Sequence, residues 1–240
     1  LPLHDKALYS WTDGGLLRLS LIDGTTKTIP MTDFGGAPLA ADDSGLFTQQ
    51  GDVVWRVGFD GARSKLATLP GTTPASGPQS LAIGTGGLWV LTGAPSPTLF
   101  HVSTRDGSVL RRVELPVPKT ANTWVGAVVA DASGAIVVTS ADEKTRITKV
   151  GSAEETLFEG AGMLNDLSDV RVDADFLYLN LMHTPEDGQL DWRLVRLSKL
   201  NGESTTLQPP PGGEGYEMLE YRGNIYFLGH ASGSVWRLAR

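Results

Sequence analysis

Apolar and polar residues alternate in short runs along the whole chain, and Gly, Pro, Asn and Asp break the runs. That pattern predicts many short strands joined by turns. The first run sets the unit. Leu8-Tyr9-Ser10-Trp11 reads as a strand, Asp13-Gly14 as a tight turn, Leu16-Leu17-Arg18-Leu19 as a second strand, and Asp23-Gly24 as the next turn. An aliphatic-aromatic pair like Leu8-Tyr9 returns as Leu46-Phe47, Leu88-Trp89, Leu177-Tyr178 and Ile225-Tyr226, and Ile136-Val137 is the copy without an aromatic. A basic residue follows each pair at a short interval: Arg18, Arg56, His101, Lys149, Arg196 and Arg237.

Turns follow most of these positions, as at Asp60-Gly61, Asp106-Gly107 and Asn201-Gly202. A further strand and a small-residue lead-in such as Leu39-Ala40-Ala41-Asp42 complete each copy. Each repeat is thus four strands in about 40 to 45 residues, the period of a propeller blade. One four-stranded sheet cannot bury both faces alone, whereas radially packed sheets bury them against their neighbours. The expected fold is all-β: a six-bladed β-propeller of four-stranded antiparallel blades, one domain over residues 1–240 with blades near 1–34, 35–75, 76–120, 121–163, 164–212 and 213–240. Pro2-Leu3-His4-Asp5-Lys6 is read as the inner strand of the first blade, which leaves the last blade three-stranded; the alternative is that it completes the sixth.

Charge and composition narrow the function. A formal net charge of −7 and a pI near 5.1 argue against nucleic acid. There is no apolar run long enough to span a bilayer, and the chain begins at Leu1 with no signal-like segment, which reads as a trimmed or mature product. The absence of Cys excludes a disulfide, a thiolate zinc site and a cysteine nucleophile.

Leu8 to Ile29 resembles a repeat of the YWTD class of six-bladed propellers and its bacterial relatives, through Tyr9, Trp11-Thr12-Asp13, Arg18 and Asp23-Gly24. The resemblance implies fold more than function. Asn165-Asp166 ahead of Val170-Arg171-Val172-Asp173 resembles the Asn-Asp element of gluconolactonase- and regucalcin-like propellers, and Gly87-Leu88-Trp89-Val90 with Leu99 to Ser103 is similar to the streptogramin-lyase repeat. Those resemblances imply a divalent metal, calcium in the first case, with Asn165 and Asp166 as candidate ligands; ordinary turn chemistry explains the same dipeptide.

In such a fold, ligands meet the channel face, formed by the loops between a blade's two middle strands and those leading from one blade to the next. Phe34, Trp124 and Tyr216 fall on these loops as candidate contacts for a flat ligand, as do His183 and His230, which end corresponding strands of adjacent blades. The histidines are also the residues at risk if the chain is an enzyme, with Glu186 or Asp187 as partners; two surface-loop histidines is the plainer reading. The basic column, recurring at one strand position, is expected to be structural, bonding carbonyls or an acidic turn residue.

The sequence therefore favours a non-enzymatic binding or sensor propeller, extracytoplasmic (periplasmic, secreted or lipoprotein-anchored). Its expected partner is a small molecule, sugar, peptide or protein at the channel face, with no cofactor. A metal-dependent lactonase- or lyase-like enzyme and a structural domain of a longer protein are the alternatives.

Overall fold

The computed structural model describes residues 3–4, 6–12, 15–31, 39–72, 78–93, 97–116, 124–131, 133–164, 170–183, 191–207, 216–221, 224–229 and 235–238. The alternating runs become strands, and each repeat becomes one meander. Sheet one orders β1 (Leu3–His4), β2 (Ala7–Thr12), β3 (Gly15–Ser20) and β4 (Thr26–Ile29). Sheet two holds β5 (Leu39–Asp42), β6 (Gly45–Gln50), β7 (Val53–Val57) and β8 (Arg63–Thr68), and sheet three β9 (Pro78–Gly84), β10 (Gly87–Thr92), β11 (Thr98–Val102) and β12 (Val109–Glu114). Sheet four comprises β13 (Trp124–Asp131), β14 (Gly134–Ala141), β15 (Lys144–Val150) and β16 (Glu154–Ala161). Sheet five comprises β17 (Val170–Val172), β18 (Phe176–His183), β19 (Asp191–Ser198) and β20 (Ser204–Leu207).

The expectation of four-stranded blades holds for five of the repeats, and the three-stranded last sheet is the one that placing residues 2–6 in the first blade leaves short. Among the described residues five sheets have four strands, and the last has three: β21 (Tyr216–Tyr221), β22 (Asn224–Gly229) and β23 (Val235–Arg237). The segment that could have completed it is engaged elsewhere, because β1 pairs with β2 through Leu3 opposite Leu8 and His4 opposite Ala7.

Burial falls from the second strand of each four-stranded sheet to the fourth. All six residues of β10 are buried, whereas β4 exposes Thr26, Lys27 and Thr28 and buries Ile29. A strand buried on both faces must lie between packed sheets, and an outer strand with one inward residue marks the rim. The chain forms two compact units, Leu1–Lys119 with Ala130–Ala135, and Thr120–Val129 with Ile136–Arg240. Within the first, Tyr9, Leu16 and Ile29 of sheet one pack on Leu46 and Val57 of sheet two, and Phe47, Val54 and Ala67 of sheet two join Leu88, Val90 and Phe100 of sheet three. Within the second, Ile136, Val138 and Ile147 meet Leu177, Leu179 and Leu181, while Tyr178 and Leu194 meet Met218, Ile225 and Phe227.

The Asp-Gly and Asn-Gly turns close the outer hairpins, and those at Gly107 and Gly202 also pack against the preceding sheet. Asp106 accepts the Ser108 N–H at 3.1 Å and its hydroxyl at 2.8 Å, and Gly107 turns at φ +74°. A Cβ on Gly107 would lie 1.8 Å from the Leu66 carbonyl oxygen of β8, and one on Gly202 would lie 2.4 Å from the Leu157 oxygen of β16. Each turn glycine thus lets the backbone of the preceding sheet's fourth strand come close.

At Arg56, His101 and Arg196 the basic column has a different partner from the one its sequence pattern suggests. In five sheets the basic residue stands directly across the ladder from the aromatic one: Tyr9 with Arg18, Phe47 with Arg56, Trp89 with His101, Tyr178 with Arg196, and Tyr226 with Arg237. The Arg56 guanidinium lies 5.6 Å from the Phe47 centroid, Arg196 lies 4.8 Å over Phe176, and His101 stacks on Trp89 at 4.2 Å and 4°. Aromatic faces attract cations and planar guanidinium groups, so recurrence of the basic residue follows recurrence of the ring beside it. In the copy without an aromatic, Lys149 stands opposite Glu155 of β16.

Candidate functional site

The two kinds of loop expected on the channel face do share one end of the sheets. In sheet four β14 and β15 are joined by Asp142-Glu143, and the Gly162 N–H, just beyond β16, bonds the Glu143 carbonyl at 2.9 Å. In sheet two Leu69, just beyond β8, donates to the Asp52 carbonyl of the β6–β7 turn at 2.8 Å.

The best-defined part of this end lies between those parts of sheets four and five that belong to the second unit. Ile136 and Val138 face sheet five, and strand alternation puts Ser140 on the same side, with Thr145 across the hairpin two residues before Ile147. Both are fully buried. The Leu164 N–H donates to Ser140 Oγ at 2.9 Å, Ser140 and Thr145 share a short hydroxyl–hydroxyl bond, and Thr145 Oγ1 donates to the Gly162 carbonyl at 2.8 Å. This chain ties down the crossover to sheet five, since each buried polar group has its partner. Leu164 is itself fully buried, and Met163 forms a two-way backbone bridge with Met182.

Beside it, Leu177, Leu179 and Leu181 of β18 face sheet four, and alternation places His183 at the end of that row. His183 is half-buried, and its Nδ1 is buried with no hydrogen-bond partner among the described residues. Asp191 stands directly opposite His183 in the β18–β19 ladder. The carboxylates that the sequence suggests as partners, Glu186 and Asp187, lie outside the described residues, as does the Asp191 side chain. A hairpin's closing pair is set by its register, and with residues 184–190 between the two strands the sequence leaves that register open. Sequence reasoning missed the Ser140–Thr145 pair; its signal was two hydroxyl residues flanking the turn Asp142-Glu143.

The remaining candidates are distributed. Trp124 opens β13 and Tyr216 opens β21 opposite Gly229, and their side chains are outside the described set. Phe34, Asn165, Asp166 and His230 lie outside the described residues altogether. Among the described residues no group of three or more His, Asp or Glu is placed to hold a metal ion. His101 belongs to the stacked column, where burial first and the Arg111 charge second lower its pKa from 6.5 and favour the neutral ring.

The packed four-stranded antiparallel meanders define an all-β propeller. Solved structures similar to the chain agree with this class. The computationally designed Ika8 protein is 13% identical with a TM-score of 0.57, covering 98% of this chain and 70% of its own. BamB from Moraxella catarrhalis is 14% identical with a TM-score of 0.54, covering 99% and 83%, and the Neurospora crassa Pan2 WD40 domain is 12% identical with a TM-score of 0.57, covering 96% and 74%. At these identities the likeness concerns fold. No protein-family profile matches the chain, and no curated protein matches it in sequence. No helix is long and apolar enough to cross a membrane, among the described residues.

Proposed function

We propose that this chain is a non-enzymatic recognition propeller that presents a ligand or protein surface from the channel-face ends of its sheets, with residues 1–240 forming one six-bladed domain. The carrying observation is the His183 imidazole, whose Nδ1 is buried and unpartnered among the described residues, next to a crossover anchored by Ser140 and Thr145. A polar group held on a rigid frame, with its hydrogen-bonding capacity unspent, suits binding of a polar partner such as a sugar or peptide. Phe34, Trp124, Tyr216 and His230 are proposed as further contacts. We also propose an extracytoplasmic location, supported by the YWTD-like first repeat.

Chelator-treated protein should be screened by thermal shift against calcium, magnesium, manganese and zinc, and against sugars and peptides, because a ligand of the folded state raises its melting temperature. The expected result is stabilisation by an organic ligand, lost in His183→Ala, with no response to metals. A stoichiometric divalent ion lost in the same variant would instead favour the metal-dependent lactonase- or lyase-like reading, with Asn165 and Asp166 as the next residues to vary.

A further inference from the structure

The chain has no Cys, so its soft sulfur ligands are the four methionines, Met31, Met163, Met182 and Met218. Met163 and Met182 stand directly opposite each other: the N–H of each bonds the carbonyl of the other, both at 2.8 Å. Such a pair holds its Cα atoms about 5.5 Å apart, with both side chains on one side of the sheet. Trp192 stands across from Met182 on the other flank of β18, so Met163, Met182 and Trp192 form one cross-strand row.

The row lies on the side of sheet five that faces sheet six. Tyr178, four places before Met182, and Leu194, two after Trp192, share that side by strand alternation, and both pack on Met218, Ile225 and Phe227 of sheet six. Three of the four methionines are thus gathered on the facing sides of two sheets within the second unit. Met218 is fully buried there, and Met31 is buried in the core of sheet one. Met163, Met182 and Trp192 are only half-buried and keep part of their surface in reach of solvent.

We propose that Met163 and Met182 form a binding site for a soft monovalent cation of the Cu(I) class, with the Trp192 indole beside it. Thioethers are neutral, polarisable donors that select Cu(I) over hard ions, and an indole face attracts a cation. The site goes beyond the recognition surface at His183, since that residue follows Leu177, Leu179 and Leu181 on the opposite side of β18, toward sheet four. It also takes an ion of a different class from the calcium, magnesium, manganese and zinc that would test a lactonase-like centre. A thioether has no proton to lose on binding, so affinity holds as pH falls, whereas an imidazole site weakens as its ring protonates.

The test uses Ag(I), a redox-inert ion of the same class, titrated into the full chain in chloride-free buffer at neutral pH and at about pH 5. Calorimetry should show saturable binding of one ion, equally tight at both. The ε-methyl NMR resonances of Met163 and Met182 should shift while that of Met31 stays in place, and Trp192→Phe should remove the accompanying fluorescence quenching. Met163→Leu and Met182→Leu, which conserve volume, should each weaken binding about tenfold or more. Met31→Leu and His183→Ala should leave it unchanged. Absence of saturable binding, equal shifts at all four methionines, or binding that survives Met182→Leu would overturn the proposal. Loss of binding in His183→Ala or at the lower pH would overturn it as well, by assigning the ion to the imidazole.

Discussion

His101 shows how one repeated position changes chemistry with its surroundings. It occupies the place of an arginine, stacks on Trp89, and has its pKa lowered from 6.5 chiefly by burial and then by Arg111. A depressed folded-state pKa means that the unfolded chain takes up a proton first as pH falls, so stability is intact above 6.5 and is lost through the interval below it. The melting temperature should therefore fall on acidification from neutral pH, and His101→Phe, which keeps the stack and removes the proton, should flatten that part of the profile. The turn glycines give a second residue-level contrast. Gly24, at φ +71°, has open space where a Cβ would go, so Gly24→Ala should cost about 1 kcal/mol of backbone strain. Gly107→Ala meets the Leu66 carbonyl at 1.8 Å as well as strain at φ +74°, and should lower stability well beyond that in urea denaturation.

At the scale of the element, the β14–β15 hairpin carries two opposing tendencies. Its two-residue turn holds Asp142 at φ 50° and Glu143 at φ 58°, both left-handed, as a tight hairpin requires. Glu143→Gly should raise stability by about 1 kcal/mol, because glycine adopts that conformation without the side-chain penalty. The same hairpin anchors the crossover through Ser140. Ser140→Ala would leave the buried Leu164 N–H without its acceptor, and should cost about 1 to 3 kcal/mol, visible as a lower urea midpoint with faster exchange at Leu164. The two variants move stability in opposite directions from one element. Strand pairs and turns of this kind were legible in the sequence, because alternation and Gly, Asn and Asp placement act locally. The bond from Leu164 to Ser140 was not, because it joins residues 24 apart through a crossover whose path no local rule specifies.

For the whole molecule, the proposed single domain predicts one calorimetric unfolding transition with equal van't Hoff and calorimetric enthalpies; two separable transitions would assign the two compact units independent stability. The sequence by itself determined the meander repeat, its turns and the recurring aromatic and basic positions, since strand alternation and turn chemistry depend on residues a few places apart. Tertiary structure decided what those positions do. It set Arg56 over Phe47 rather than on a carbonyl, drew Gly107 against Leu66 of the preceding sheet, placed Asp191 opposite His183, and engaged Leu3–His4 in sheet one. The physical reason is common to all of these: a strand's pattern says which side of it is apolar, but register and packing choose which distant residue covers that side.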